Sequence, residues 1–521
     1  MLIKLAMLVV FFIITVSVGL YFRSRSTNVN NFVLGGRSIG PWLTAFAYGT
    51  SYFSAVVFIG YAGQFGWRFG IASVWIGLGN AIIGSLAAWM VLGRRTRLMT
   101  RHLGSATMPA FFGERFQSKG LRIGASCIIF IFLIPYTASL YNGLSRLFAM
   151  AFNVDFTVCI FIMAALTGVY VIAGGYFATA VNDFIQGVIM LAGIVAVIAA
   201  VLNINGGFQE SVNALALVED PAVSTVPGVF ASFFGPDPLN LLGVVLLTSL
   251  GTWGLPQMVQ KFYSIDSDKA VAKGTIISTL FAVVVAGGCY FLGGFGRLFS
   301  GQIDLAANGF DSIIPTMLSA LSPTLIGIVV ILVLSASMST LSALVMTSAS
   351  TFTLDFLKDN FVKNMDEKHQ LFIIRLLISF FVAISAVIAV IQYKQGVIFI
   401  AQLMGISWGA LAGAFLAPFL YGLYWKRATK ASIWCCFIFS TGFMLLNLLA
   451  KGLFPPVLQS PINAGAFAMI AGLVVVPVVS ILTKAPNKQH TEHCFSCYHE
   501  DGSPGIPAPF ARANLGDTAA K

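Results

Sequence analysis

Long apolar stretches alternate with short polar connections along nearly the whole chain. About 20 consecutive apolar residues suffice to cross a bilayer as a helix, and windows of about 19 residues locate such stretches. We predict thirteen membrane-spanning helices, at residues 2–21, 38–64, 71–92, 123–152, 156–173, 177–202, 239–263, 274–295, 324–356, 371–391, 397–424, 431–449 and 462–482. The predicted fold class is an all-α integral membrane protein. The first stretch looks like a signal peptide, but no small-residue cleavage site follows it, so we expect it to be retained.

Composition agrees with this pattern. Hydrophobic residues make up 58% of the chain and charged residues 9%, whereas about a quarter of the residues of a soluble domain are charged. The lipid bilayer is therefore the main partner that we predict. The net charge of +11 requires no nucleic acid, because basic residues of membrane proteins concentrate in cytoplasmic loops.

The basic residues also predict the orientation. With the N-terminus outside, 24 of the 30 Lys and Arg residues fall in cytoplasmic loops or the C-terminal tail, and only four fall in outer loops. This bias satisfies the positive-inside rule. It predicts the N-terminus outside and the C-terminus inside, in the inner (plasma) membrane of a cell.

Two predicted spans are interrupted. "AYGTSYFSA" (47–55) and "SLGTWGLPQM" (249–258) place glycine, and in the second case proline, in mid-membrane, where they weaken or break a helix. The two lie five spans apart, so they begin two consecutive five-helix blocks of opposite orientation. Interrupted helices at matching positions of inverted halves indicate the central site of a transporter. The alternative is that glycine and proline are simply frequent in membrane helices.

This arrangement predicts an organisation into six parts. They are an extra N-terminal helix with its cytoplasmic loop (1–37), a first inverted repeat (38–203), an outer loop (204–238), a second repeat (239–425), two peripheral helices (426–483) and a disordered cytoplasmic tail (484–521). In the tail, Cys494 and Cys497 with nearby histidines look like half of a zinc site. No second such pair follows, and a disordered tail is the preferred interpretation.

Hydroxyl side chains are concentrated in one apolar span. In "SASMSTLSALVMTSAS" (335–350), eight of sixteen residues carry a hydroxyl. Ala336, Ser339 and Thr340 have the i, i+3, i+4 spacing that places residues on one helix face. Neutral hydroxyls, together with carbonyls freed at a broken helix, can bind a dehydrated sodium ion without burying a permanent charge. The alternative is that these serines serve close helix packing.

One acidic residue lies deep in a predicted span. Asp183 is six residues past the predicted turn 174–177, about 9 Å along a helix, and an intramembrane carboxylate is a functional candidate. The alternative is an acid near the cytoplasmic mouth that reaches water.

Four motifs together resemble the sodium:solute symporter family, which includes sodium/proline, sodium/glucose and sodium/sialic acid carriers. They are "LGGRSIGPWLTAFAYGTSYFSA" (34–55), "AGGYFATAVNDFIQG" (173–187), "ASMSTLSALVMTSAS" (336–350) and "LYGLYWKRATKAS" (420–432). They occur in the family's order and cover the chain from residue 2 to about 483. The resemblance implies the amino acid transporter-like fold with a five-plus-five inverted repeat, sodium as the coupling ion and alternating access.

The resemblance also implies site residues. For the main sodium site they are the carbonyls of Thr50, Phe53 and Ala336 and the hydroxyls of Ser339 and Thr340. For a second sodium site, they are Asp183, Ser339 and Ser342; members with that site have a further hydroxyl where this chain has Ala343. The implied substrate-lining residues are Ser51, Tyr52, Ser54, Tyr136, Trp253, Pro256 and Gln257.

We therefore predict a sodium-coupled symporter that imports a small polar organic solute. The sugar carriers have polar and acidic side chains where this chain has Ala55, Val56 and Val57, which favours an amino acid or small carboxylate over a sugar. The proline carriers have an aspartate where this chain has Tyr52, so the sequence does not name the substrate. A channel would need repeated pore rings. An enzyme would need grouped titratable side chains within the spans, and a sensor would need an appended domain. A monomer suffices for the predicted function, and the sequence leaves the oligomeric state open.

Overall fold

The computed structural model describes residues 2–22, 28–358, 361–362, 365–395 and 400–498. Over these residues the chain is helical and contains no strand longer than an isolated bridge. Helices are what an apolar chain is expected to form in lipid, because a helix satisfies its backbone hydrogen bonds internally.

The helices follow one another along the chain and are numbered here in that order. They are α1 Leu2–Tyr21, α2 Val29–Leu34, α3 Pro41–Tyr52, α4 56–69, α5 70–102, α6 Met108–Arg115, α7 Lys119–Phe152, α8 156–174, α9 Gly175–Ile204, α10 Phe208–Ala216, α11 Pro238–Gly254, α12 Pro256–Ser264, α13 Asp268–Gly293, α14 Leu305–Asn308, α15 Ile313–Ser319, α16 Pro323–Leu357, α17 Glu367–Gln395, α18 Ile400–Tyr424, α19 Lys430–Leu449, α20 Pro461–Leu482 and α21 Lys488–Ser496.

Ten helices among the described residues are long and apolar enough to span a membrane, and the bent pair α11–α12 makes an eleventh span. The prediction of thirteen counted two more. One difference arises because the spans predicted at 38–64 and 71–92 share one continuous stretch, Val56–His102. This stretch turns at Gly70 (φ 64°). The other difference arises at 156–173, in which only a short apolar helix qualifies. The chain is thus a multi-pass membrane protein.

Burial divides the helices into a core and a periphery. Nearly all of α16 and α18 is buried in protein, whereas most of α1 faces outward. Small residues allow close approach between core helices. A Cβ on Gly66 of α4 would overlap the backbone of Gly293 on α13, and a Cβ on Gly293 would overlap the carbonyl of Ala62. The backbones of α4 and α13 are therefore in direct contact.

A buried ion pair joins α7 to the end of α16. The Arg122 Nε lies 2.7 Å from an oxygen of Asp355, whose side chain is fully buried. The Thr107 hydroxyl, at the start of α6, donates to the other Asp355 oxygen at 2.6 Å. These two contacts attach the connection between α5 and α7 to α16.

The C-terminal tail departs from the expectation. Residues 488–496, predicted as part of a disordered segment, form α21, whose N-cap Asn487 accepts a hydrogen bond from the His490 N–H. Its apolar face packs on the protein, with Cys494 buried and Arg115 over the Phe495 ring at 4.9 Å. The Cys494 sulfur lies 3.3 Å from His490 Nε2, but the described residues contain no group of three potential ligands placed to hold a metal. The remainder of the tail, 499–521, lies outside the described residues.

Candidate ion and substrate site

The break in the first repeat lies between α3 and α4. Phe53 is extended (φ −102°, ψ 102°) and its N–H still bonds to the carbonyl of Gly49. The chain resumes as a helix after Ser54, whose hydroxyl accepts from the Val56 N–H at 3.3 Å. Carbonyls in the last turn of α3 therefore lack helical donors, as at any helix end.

Helix α16 supplies hydroxyls to these carbonyls. Thr340 Oγ1 lies 3.1 Å from the carbonyl oxygen of Thr50 and 3.4 Å from that of Ser51. It also lies 3.0 Å from the carbonyl of Ala336, one turn back on its own helix. Several predicted sodium-site residues thus meet at one point of the buried core.

Ser339 and Phe53 complete this group. The Ser339 hydroxyl donates to Thr50 Oγ1 at 2.7 Å. Phe53 and Ala336 line one small cavity of about 10 Å³ together with Ser54, which is roughly the space that one water-sized sphere needs. The structure therefore brings together all five residues that the resemblance implied for the main sodium site.

The residues of the second implied site lie on two helices, with Ser339 and Ser342 on α16 and Asp183 on α9. The Ser342 hydroxyl donates to the carbonyl of Ser339 at 2.8 Å. Asp183, on α9, is almost fully buried and neither of its carboxylate oxygens accepts a hydrogen bond. Ser339 faces that carboxylate. Gly187, one turn along α9, allows α9 to pack closely on α3, since a Cβ there would lie 2.4 Å from Phe46 Cδ1 and 3.1 Å from Thr50 Cγ2.

Three aromatic side chains meet beside the break. The ring of Trp408, on α18, lies 5.9 Å from those of Tyr52 and Tyr136, measured between centroids. The Tyr52 hydroxyl donates to the carbonyl of Thr248 at 2.5 Å, whereas Tyr136 Oη and Trp408 Nε1 are buried, face each other and make no hydrogen bond of standard geometry. We call these three residues the aromatic cluster. Trp408 was not predicted from the sequence, because a single tryptophan in a continuous apolar helix gives no signal of function.

The other substrate candidates lie at or near the two breaks. The Ser51 hydroxyl is buried without a hydrogen-bond partner. The side-chain amide nitrogen and oxygen of Gln257 are also buried without partners. Pro256 begins α12, and the pair α11–α12 bends by 45° there. Trp253, at the end of α11, donates its indole N–H to the carbonyl of Ile83 on α5 at 2.9 Å.

A polar contact attaches the loop before α15 to two core helices. Asp311, in the loop before α15, accepts a hydrogen bond from the Ile400 N–H at 3.2 Å and lies 3.8 Å from Arg146 of α7. Burial raises the pKa of the Asp311 carboxyl, and Arg146 and the Ile400 N–H oppose that rise. The loop before α15 is thus attached to both α7 and the start of α18.

Broken helices, a hydroxyl cluster at the first break and a neighbouring aromatic cluster define a membrane carrier. The chain belongs to the sodium:solute symporter family, whose model matches residues 32–439. This confirms the family predicted from the motifs, and the chain is a carrier and not an enzyme.

Two curated relatives are proline carriers. The osmoregulated proline transporter OpuE of Bacillus subtilis (strain 168) is 29% identical, with 92% of this chain and 94% of that protein aligned. The sodium/proline symporter of Staphylococcus aureus (strain JH9) is 30% identical, with 92% and 93% aligned.

Solved structures show the fold. A Na⁺-coupled sialic acid symporter in a substrate-bound outward-open state has a TM-score of 0.70 at 15% identity, covering 93% of this chain and 99% of that chain. Mhp1, a nucleobase-cation-symport-1 family transporter, has a TM-score of 0.50 at 13% identity. The fold of this chain is therefore that of a secondary transporter.

Proposed function

We propose that the protein is a sodium-coupled symporter that imports a small zwitterionic amino acid, with proline as the first candidate. The observation that carries this proposal is the junction of Thr50, Ser339 and Thr340 beside the aromatic cluster. Sodium bound there would tie α16 to the end of α3 and complete the neighbouring substrate cavity. The two proline-carrier relatives support the choice of substrate.

The chemistry of the cavity favours a substrate without net charge. Tyr52, Tyr136 and Trp408 are neutral and offer apolar ring faces with two unpartnered polar atoms. The N-termini of α4 and α12 at the breaks favour negative charge, which suits a carboxylate. A sugar would need several side-chain hydrogen bonds, and Ala55, Val56 and Val57 offer none.

The proposal includes the membrane arrangement predicted from the sequence. It has thirteen spans with the five-plus-five inverted repeat, the N-terminus outside and the C-terminus inside, in the plasma membrane. A monomer contains the whole proposed site. Sodium is bound by Thr50, Phe53, Ala336, Ser339 and Thr340, and the substrate by the aromatic cluster with Ser51, Ser54 and Gln257.

Uptake into proteoliposomes tests this function. With an inward sodium gradient, radiolabelled L-proline should accumulate, and replacing sodium by potassium or choline on both sides should abolish accumulation. Glucose and sialic acid are the comparison substrates. Sodium-driven accumulation of glucose without accumulation of proline would contradict the proposed substrate class.

Substitutions in the aromatic cluster test the substrate cavity. Tyr136→Phe removes a buried hydroxyl without a partner, and we expect the KM for proline to rise about tenfold or more, because a hydrogen bond to a charged group contributes about 1.5–3 kcal/mol. Sodium binding without substrate should remain. Tyr421→Phe is the matched control, since it removes a tyrosine hydroxyl that bonds to the carbonyl of Leu473 on α20 and should transport like the parent. A parent-like KM in both Tyr136→Phe and Trp408→Phe would place the substrate elsewhere.

A further inference from the structure

A lysine lies inside the protein next to the implied second sodium site. Lys261 falls within the predicted span 239–263, although the count of basic loop residues included it, and the structure places it within α12 with a side chain that is 4% exposed. Its ammonium nitrogen is 3.9 Å from Oδ2 of Asp183, whose side chain is 1% exposed. The ammonium also lies over the Tyr176 ring, 5.2 Å from its centroid. The carboxylate thus already faces one positive charge that belongs to the chain.

The contact between these two charges is loose. Charge-assisted hydrogen bonds between nitrogen and carboxylate measure about 2.7–2.9 Å, as the pair of Arg122 with Asp355 does at 2.7 Å. Lys261 stays about 1 Å beyond that range, and no hydrogen bond reaches either oxygen of Asp183. A buried carboxylate that loses its only counter-charge is strongly destabilised. Asp183 therefore needs a cation, and Lys261 supplies it without a tight bond.

Ser339 connects this pair to the main ion site. Its hydroxyl donates to Thr50 Oγ1, and its carbonyl accepts from Ser342, while the residue faces Asp183. The acid, the two serines and the ammonium therefore share one buried region between α9, α12 and α16. A second free cation there would meet the ammonium, with a single carboxylate to balance both charges.

We propose that Lys261 is a tethered cation that takes the place of a second sodium ion at Asp183, so that one sodium ion moves with each substrate molecule. This inference rests on the proposed function, because it concerns the ions of a sodium-coupled carrier. Lys261 has the same charge as sodium but stays bound to the chain. Ala343, which lacks the further hydroxyl of two-sodium members, is consistent with this assignment.

Equilibrium binding of radioactive sodium to the purified, substrate-free protein tests the proposal. In Lys261→Gln the carboxylate of Asp183 loses its counter-charge, so we expect the saturating amount of sodium per protein to double. In the double variant Asp183→Asn/Lys261→Gln, the amount should return to that of the parent. Lys261→Arg retains the positive charge and should also bind as the parent does.

A control separates this local effect from a change in overall charge. Lys269→Gln removes one exposed positive charge eight residues away on α13 and should leave sodium binding unchanged. Equal binding by the parent and Lys261→Gln would overturn the proposal, and so would doubled binding in Lys269→Gln.

A second measurement uses the parent protein alone, so the test does not depend on the folding of a variant. The ratio of charge to substrate flux in proteoliposomes should be one charge per proline, whereas two charges per proline would overturn the tethered-cation role. A parent that binds no sodium and moves no charge would instead contradict the proposed function. The two failures are therefore distinguishable.

Discussion

Thr340→Ala should raise the sodium concentration for half-maximal transport by about 10- to 100-fold, because an interaction of about 1.5–3 kcal/mol with a charged group is lost. The Thr340 hydroxyl approaches three carbonyls, those of Thr50, Ser51 and Ala336. This side chain joins α16 to the last turn of α3, where the carbonyls lack helical donors. Ser339→Ala, which removes the bond to Thr50 Oγ1, should act in the same direction.

The sodium dependence of proline uptake and the sodium-induced thermal stabilisation of the purified protein measure this effect. Thr340→Ser retains the oxygen and should recover most of the loss. Ser337→Ala is the matched control, since that buried hydroxyl bonds only to the carbonyl of Val333 on its own helix. Parent-like sodium activation in both Thr340→Ala and Ser339→Ala would disprove the assignment of the ion site to α16.

Gly293→Ala should destabilise the folded protein by about 3 kcal/mol, at the upper end of the usual cost of overpacking. The added methyl group would overlap the carbonyl of Ala62. A backbone atom, unlike the end of a side chain, has no rotamer that relieves the overlap. The helices α4 and α13 must therefore separate.

Detergent-solubilised protein should show this loss as a lower thermal midpoint and a smaller monodisperse fraction. Gly287→Ala is a control on the same helix, because a Cβ at Gly287 meets no atom within 4 Å. Equal midpoints for the two variants would show that the direct backbone contact does not limit stability.

The sequence predicted which of the implied ion-site residues lie together better than it predicted the surroundings of the implied substrate residues. Helical periodicity alone places Ala336, Ser339 and Thr340 on one face, and glycine and proline indicate where the helices break. The contacts of Thr340 with α3 agree with both patterns. These features depend on local rules, so they can be predicted from a single chain.

Other features depend on rotation and bending about the breaks. The contact of Trp253 with the carbonyl of Ile83 depends on the rotation of α11 about its axis, which no local pattern specifies. Lys261 falls within the predicted span 239–263, but it was counted with the basic residues of the following loop because it lies only two residues from the end of that span. Its position, five residues after Pro256, could have indicated that it lies more than a helical turn inside α12.

The ion pair between Arg122 and Asp355 limits the motions that a transport cycle can use. With Thr107 it joins the start of α7 to the end of α16, and breaking it would remove the arginine from a fully buried carboxylate. We expect these two helix ends to move together. We expect opening on the side of these helix ends to come from displacement of α3 and α12, with the non-helical residues Phe53 and Leu255 at the two breaks serving as the hinges.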